Sequence, residues 1–413
     1  GAFYECIGIA DSMAAYNCYA CHARGGLGGP ETARNALFLT TIPEMGDEGR
    51  IPPPLDGVGD KLNDNWLRHI LQNGANDRPY MLTRMPRFAP AHSDQLLAEF
   101  VAVDRPPEGE FAAPDEPEHR VKATGRHLAG DQALGCIKCH TFGPHRATGI
   151  QSMDLQKMTQ RLREDWFHRY LPDPQRYRPG TRMPTGFPNG KATITDVYDG
   201  SLDHQVSAIW SYLTDGIRAG IPDGLVGQLV ELKPATEPII YRNFLEGLSP
   251  RGIAVGYPEG CHLAWDADRM CLAIIWHGRF IDASMHWQGR GQGRQRPLGD
   301  HIIALENTAP FAMLDSADTP WPAETTKERG YRFRGYTLND RKQPAFRYET
   351  DRFTVTDFSR PVAHDNGDGT FARTLTVEGT DNSVGSVYFR AATGTTIEPI
   401  EDNWYLVENA VRV

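Results

Sequence analysis

The sequence predicts a multidomain protein, with two all-α modules followed by an all-β, sandwich-like domain. An internal repeat, helical spacing of apolar residues within both copies, and a change to period-two alternation in the C-terminal part predict it. The expected boundaries are 1–105 for the first module, 106–118 for a linker, 119–222 for the second module and 223–413 for the β-domain. At 413 residues the chain exceeds one average domain, and its 40% hydrophobic residues suffice for real cores.

The repeat is explicit. Lys61–Leu71 matches Arg161–Leu171 at an offset of 100, and Arg78-Pro79 recurs as Arg178-Pro179. Asn63 or Asp64 can cap a helix in which Trp66/Ile70 and Leu67/Leu71 share one side, ending by Gly74. Ser93 can cap a second helix with Leu96, Phe100 and Val103 on one stripe. Its counterpart carries Leu202, Val206, Ile209 and Leu213 and ends at Gly216. The Gly/Pro-rich stretch Gly25 to Pro54 reads as a long loop, and the prolines and acids from Asp104 to Pro117 as an extended linker. Beyond Asp223, Tyr331/Phe333, Phe346/Tyr348 and Phe353/Val355 alternate with polar residues. His262–Trp265 and Cys271–Trp276 flank a turn, and Asp365 to Gly369 forms another.

The net charge of −10 argues against nucleic acid and favours a basic partner, and no apolar run is long enough for a membrane span. The seven cysteines are the most informative residues. Cys18-Tyr19-Ala20-Cys21-His22 and Cys136-Ile137-Lys138-Cys139-His140 are two copies of C-x-x-C-H, the attachment signature of c-type haem. Two thiols one turn apart add across the porphyrin vinyl groups, and the next residue sets an imidazole nitrogen on the iron. Composition alone gives about 0.004 copies, and two are present. A thioredoxin-like pair does not require the histidine, and a zinc site needs two further ligands. The expected cofactors are two covalent haem c groups. Their chemistry demands export to the periplasm or exterior, so the numbering reads as that of a mature or trimmed chain.

Arg-Met-Pro occurs at Arg84-Met85-Pro86 and Arg182-Met183-Pro184, after each haem motif. Met85 and Met183 are therefore the expected second axial ligands, paired with His22 and His140. Met45, Met81, Met153 and Met158 compete for that role, and His69, His145 and His168 are the alternative for bis-histidine ligation.

The order of haem motif, Trp helix, Met loop and closing helix, found twice, resembles class I c-type cytochromes. The strings are also similar to the haem modules of large secreted multidomain cytochromes of the planctomycete type, over roughly residues 10–215. Little chain precedes Cys18, so the usual N-terminal helix is expected to be short or replaced. The resemblance implies that Trp66 and Trp166 hydrogen-bond haem propionates through their indole nitrogens, with Arg84 and Arg182 as counter-charges.

The expected function is electron transfer between redox partners through two saturated His/Met haems, with no catalytic residue assigned. The β-domain would dock a protein or glycan ligand. A dihaem peroxidase-like enzyme is the rival, as is a carbohydrate-processing β-domain served by the haems. In that domain Asp266, Asp268, His262, His277 and His286 could form a metal or catalytic cluster, against the reading of scattered polar residues on strand ends, and His286 to Gly291 a sugar platform. Cys261 and Cys271 could pair, or Cys6 with either.

Overall fold

The computed structural model describes residues 2–226, 230–287, 294–365, 369–380, 386–400, 404–408 and 411–413. The chain forms two compact units, 1–227 and 228–413. The expected fold class is corrected. The chain is mixed, 29% helix and 25% strand with six small sheets, rather than two all-α cytochrome domains followed by one sandwich. The physical reason lies in the stretches without helical period. The two haem-motif segments and the Gly/Pro-rich loop fold as 3-10 turns and a two-residue hairpin, and both repeats bury their apolar faces in one shared cluster.

In the first unit α1 (Ala2–Ala15) precedes the hairpin β1 (Ala23–Arg24) and β2 (Leu27–Gly28). Four helices follow: α2 (Val58–Lys61), α3 (Asp64–Asn73), α4 (Pro90–Asp104) and α5 (Glu118–Ala129). The second repeat continues with α6 (Met158–Arg161), α7 (Glu164–Tyr170), α8 (Pro174–Tyr177) and α9 (Leu202–Thr214). An N-terminal helix is present after all. α1 has 14 residues, and Ile9 and Met13 are buried against the core. Asn63 caps α3 by accepting from Trp66 N at 2.8 Å, and Gly74 ends it at φ 81°. α4 starts at Pro90, three residues before the expected cap. Ser93 sits inside it and donates to Pro90 O at 3.1 Å. The Pro/acid-rich stretch packs on the second repeat. Gly109 N donates to Asp165 at 3.0 Å, and Phe111 stacks on His168 at 4.0 Å between centroids.

The two repeats meet in an almost symmetric joint. Leu62 and Leu162, which end α2 and α6, form an antiparallel bridge. Asn63 N donates to Arg161 O, and Arg163 N donates to Lys61 O, both at 3.1 Å. Equivalent backbone groups thus exchange hydrogen bonds, as in an isologous contact between two copies. The offset of 100 in the sequence becomes a local two-fold relation in space.

In the second unit β3 (Glu231–Leu232) pairs with β8 (Ile281–Asp282). β4 (Ile239–Asn243), β5 (Gly252–Gly256), β6 (Cys261–Asp266), β7 (Cys271–His277) and β9 (Asp300–Ala304) form an antiparallel sheet in that order. β10 (Phe311–Met313) stands apart from it. β11 (Arg332–Leu338), β12 (Pro344–Glu349), β13 (Phe353–Ala363) and β14 (Gly369–Gly379) form a second meander. One cluster joins Val255, Leu263 and Trp265 of the first sheet to Phe346, Tyr348 and Val355 of the second, with Trp265 stacked on Phe346 at 4.6 Å. Register bulges at Ala264/Trp265, Ile275/His277 and Phe333/Gly335 interrupt the ladders and keep the sheets small.

Candidate functional site

Each C-x-x-C-H string forms the same local structure. A left-handed residue, Asn17 (φ 57°) or Gly135 (φ 67°), opens a 3-10 turn, Cys18–Ala20 or Cys136–Lys138. His22 N and His140 N each return to the carbonyl of their first cysteine, at 2.8 and 2.9 Å. The turn stacks both thiols and the imidazole on one short element. Burial pushes the Cys18 thiol up and the Cys136 thiol up to about 11, so both are neutral thiols.

The two imidazoles are held alike. His22 Nδ1 donates to Pro53 O at 2.7 Å, and His140 Nδ1 donates to Met153 O at 2.9 Å. Burial lowers both pKa values, against the opposing pull of these carbonyls, and so favours the neutral rings. With the proton on Nδ1, the Nε2 lone pair is the one left to face a metal. This arrangement, a ring N–H on a backbone carbonyl, is how ligating histidines are oriented.

A cavity of about 270 Å3 opens over the first turn, lined by Cys18, Cys21, His22, Met81, Met85 and Trp166 among others. The first thiol pair, imidazole and expected thioether therefore face one space. In the second set Cys136 and Met183 pack against the same main core as partly buried residues. Glu48, from the first repeat, latches that second Met loop. It accepts from Thr181 Oγ1 at 2.8 Å and Arg182 N at 3.1 Å. Among the competitors, Met45 packs with Tyr80 and Met81 in a small separate cluster, and Met158 is buried in the main core. His69 is exposed beside Trp66, and His168 is buried against Phe111, its pKa held at about 4 by burial.

The expected carboxylate partners are distributed unevenly. Arg84 and Arg182 are exposed, and Arg84 donates to Met81 O. Trp166 lines the first cavity although it belongs to the second repeat, whereas Trp66 leaves its Nε1 buried without a hydrogen-bond partner. Sequence reasoning noticed the Arg78/Arg178 repeat only as a landmark, and Lys61/Arg161 only as alignment. In the structure all four approach one another at the inner end of the cavity, beside Asp77. Their repetition at the joint was the signal available.

The polar cluster expected in the β-region is dispersed. Asp266 is buried and accepts from Ser249 N, Ser249 Oγ, Asp268 N and Arg269 N. His277 contacts Gly369 O, and His286 lies by Tyr241 and Asn243. Cys261 faces His277 and Cys271 faces Asp266 across the β6–β7 hairpin, at its opposite ends, and both are free thiols. The Cys6 side chain, the tip of the Asp365 to Gly369 turn and residues 288–291 of the expected sugar platform lie outside the described residues. Among the described residues no group of three or more His, Cys, Asp or Glu gathers to hold a metal ion. Nor is any helix there long and apolar enough to cross a membrane.

His262 is a buried neutral histidine of structural type. Its Nδ1 accepts from Tyr257 N at 3.1 Å and its Nε2 donates to Gly278 O at 2.8 Å, and burial holds its pKa down to about 4. The unfolded chain takes up the proton near pH 6.5, while the folded one takes it up near 4. Stability is therefore full above 6.5, is lost as pH falls between the two values, and levels off below. The expected loss is about 3 kcal/mol. Urea unfolding of wild type and His262→Gln from pH 7.5 to 3.5 checks it, since the wild type should show a steeper slope than the variant, in which His168, His22 and His140 still contribute.

No known protein family, curated protein or solved structure matches the chain.

Proposed function

We propose that the protein is a dihaem c-type electron carrier. The observation that carries the reading is the matched pair of C-x-x-C-H turns, each with its histidine Nδ1 on a backbone carbonyl. The residues fit the cofactor: adjacent neutral thiols for the vinyl groups, a neutral imidazole with its Nε2 unprotonated, and in the first site a thioether across a shared cavity. Cys18, Cys21, His22 and Met85 would hold the first haem, and Cys136, Cys139, His140 and Met183 the second. Bound haem supplies a one-electron couple, raised in potential by His/Met ligation. The chain fixes the imidazoles through their carbonyl acceptors, Pro53 O and Met153 O. Were His22 with Met85 and His140 with Met183 to hold the two irons, no position would be left for a substrate, which favours a carrier over a peroxidase.

Covalent haem attachment would be made outside the cytoplasm, so the reading implies a periplasmic or extracellular protein. The net charge of −10 favours a basic redox partner. A cleft of about 650 Å3 lined by Glu108, Glu116, Glu118, Glu164 and Trp210 adds a local acidic surface to that side of the reading. The β-unit would serve docking of a protein or glycan.

Expression in a host with haem c maturation machinery tests the reading. The intact mass should exceed the polypeptide by two haem groups, and both should survive denaturation. Cys18→Ser combined with Cys21→Ser should leave one. A mass equal to that of the bare chain in a strain that matures other c-type proteins would sink it.

A further inference from the structure

The first cavity is lined by more cations than the carboxylates around it pair with. Lys61, Arg78, Arg161 and Arg178 meet there, two from each repeat. Arg161 is buried and paired with Asp77 at 2.8 Å, and Arg178 is paired with Glu48 at 3.2 Å. Asp60, which also lines the cavity, is taken by Arg163 and Arg169, and Asp56 accepts from Gly25 N. Among the described residues no carboxylate pairs with Lys61 or Arg78. Arg78 Nη1 is buried with no hydrogen-bond partner. Lys61 and Arg78 thus have no carboxylate partner in a largely apolar cavity that Arg84 also lines, and an uncompensated charge is costly there.

We propose that Lys61 and Arg78 form an anion site for the two carboxylates of the porphyrin seated on Cys18, Cys21 and His22, and that the second repeat positions it. The inference rests on the haem reading above and specifies residues that reading left open. The positioning comes across the joint. Lys61 Nζ lies over the Trp166 ring, 4.6 Å from its centroid, with Tyr170 at 5.9 Å, and Arg161 fixes Asp77, the neighbour of Arg78 in the chain. Burial and the nearby arginines push the Lys61 pKa well down, and an anion beside it would offset that shift. The first haem site is therefore built by both repeats, which explains why the copies share one core instead of standing apart.

A two-step redox titration of the mature protein tests this. Nearby positive charge favours the reduced iron, so Lys61→Gln and Arg78→Gln should each lower the reduction equilibrium constant of the same single haem. The expected change is about tenfold, which is ~59 mV for a one-electron couple. Arg78→Lys should restore most of it. Trp166→Leu should shift the same step in the same direction by less. Haem content, read from the pyridine adduct, should stay at two throughout. With two haems retained, a change below about twofold in both glutamine variants, or an equal change in both steps, overturns the anion site alone. A wild-type chain without haem overturns the haem reading and this inference with it.

Discussion

Gly125→Ala is expected to destabilise the first unit by about 2–3 kcal/mol, although alanine is the better helix former by about 1 kcal/mol. Gly125 lies in α5 where that helix crosses α9. A Cβ built there would stand 2.1 Å from Ala208 O and 2.7 Å from Tyr212 Cβ. The first obstacle is backbone, which cannot rotate away as a side chain can. The helices must separate, and separation exposes Ala208 and Tyr212, both buried where α9 meets Gly125. Gly59 in α2 meets Phe100 O of α4 at 2.2 Å and should behave alike. Urea unfolding of the mature protein measures the effect. An unchanged or raised midpoint for Gly125→Ala would mean that the crossing is looser than drawn, and Gly125→Leu would then also be tolerated.

How far the sequence could be read depended on the range of the interaction concerned. Local signals were strong. The Asn63 cap, the Gly74 stop and the alternation of Phe346, Arg347 and Tyr348 in β12 each depend on residues a few positions apart. The haem-motif turns were legible for the same reason, because two cysteines and a histidine specify their own geometry. What sequence could not supply was the relation between repeats. The Leu62–Leu162 bridge joins residues 100 positions apart, and nothing in either copy shows that they face each other. The expectation of two separate α-modules failed there. Helices such as α2 and α6 are too short to bury a face alone, so they share a core. The same blindness hid the cationic cluster. In the sequence Lys61 and Arg161 stand out only as matched repeat positions, whereas the joint brings both to one cavity; Arg84 and Arg182, beside the methionines, are exposed, and Arg84 also lines that cavity.

Met85→Ala is expected to change the ligand chemistry of the reduced, mature protein from no carbon monoxide bound to one molecule per chain. If His22 and Met85 close the first iron, wild type has no open axial position there. Removing the sulfur leaves a methyl group too short to reach and a gap lined by Leu96, Phe88 and Phe100. The near-red sulfur-to-iron band of the ferric protein should fall by half, because Met183 still serves the second haem. Met81 also lines the cavity, so it is the rival to eliminate. It packs with Met45 and Tyr80, and its backbone bridges Thr40, which ties it to the wall. Met81→Leu should therefore leave the spectrum intact and bind no gas. The opposite pairing of results would reassign the sulfur to Met81 and keep two haems. Carbon monoxide binding by the wild type would be more damaging, since an iron that opens unaided belongs to an enzyme and not to a relay.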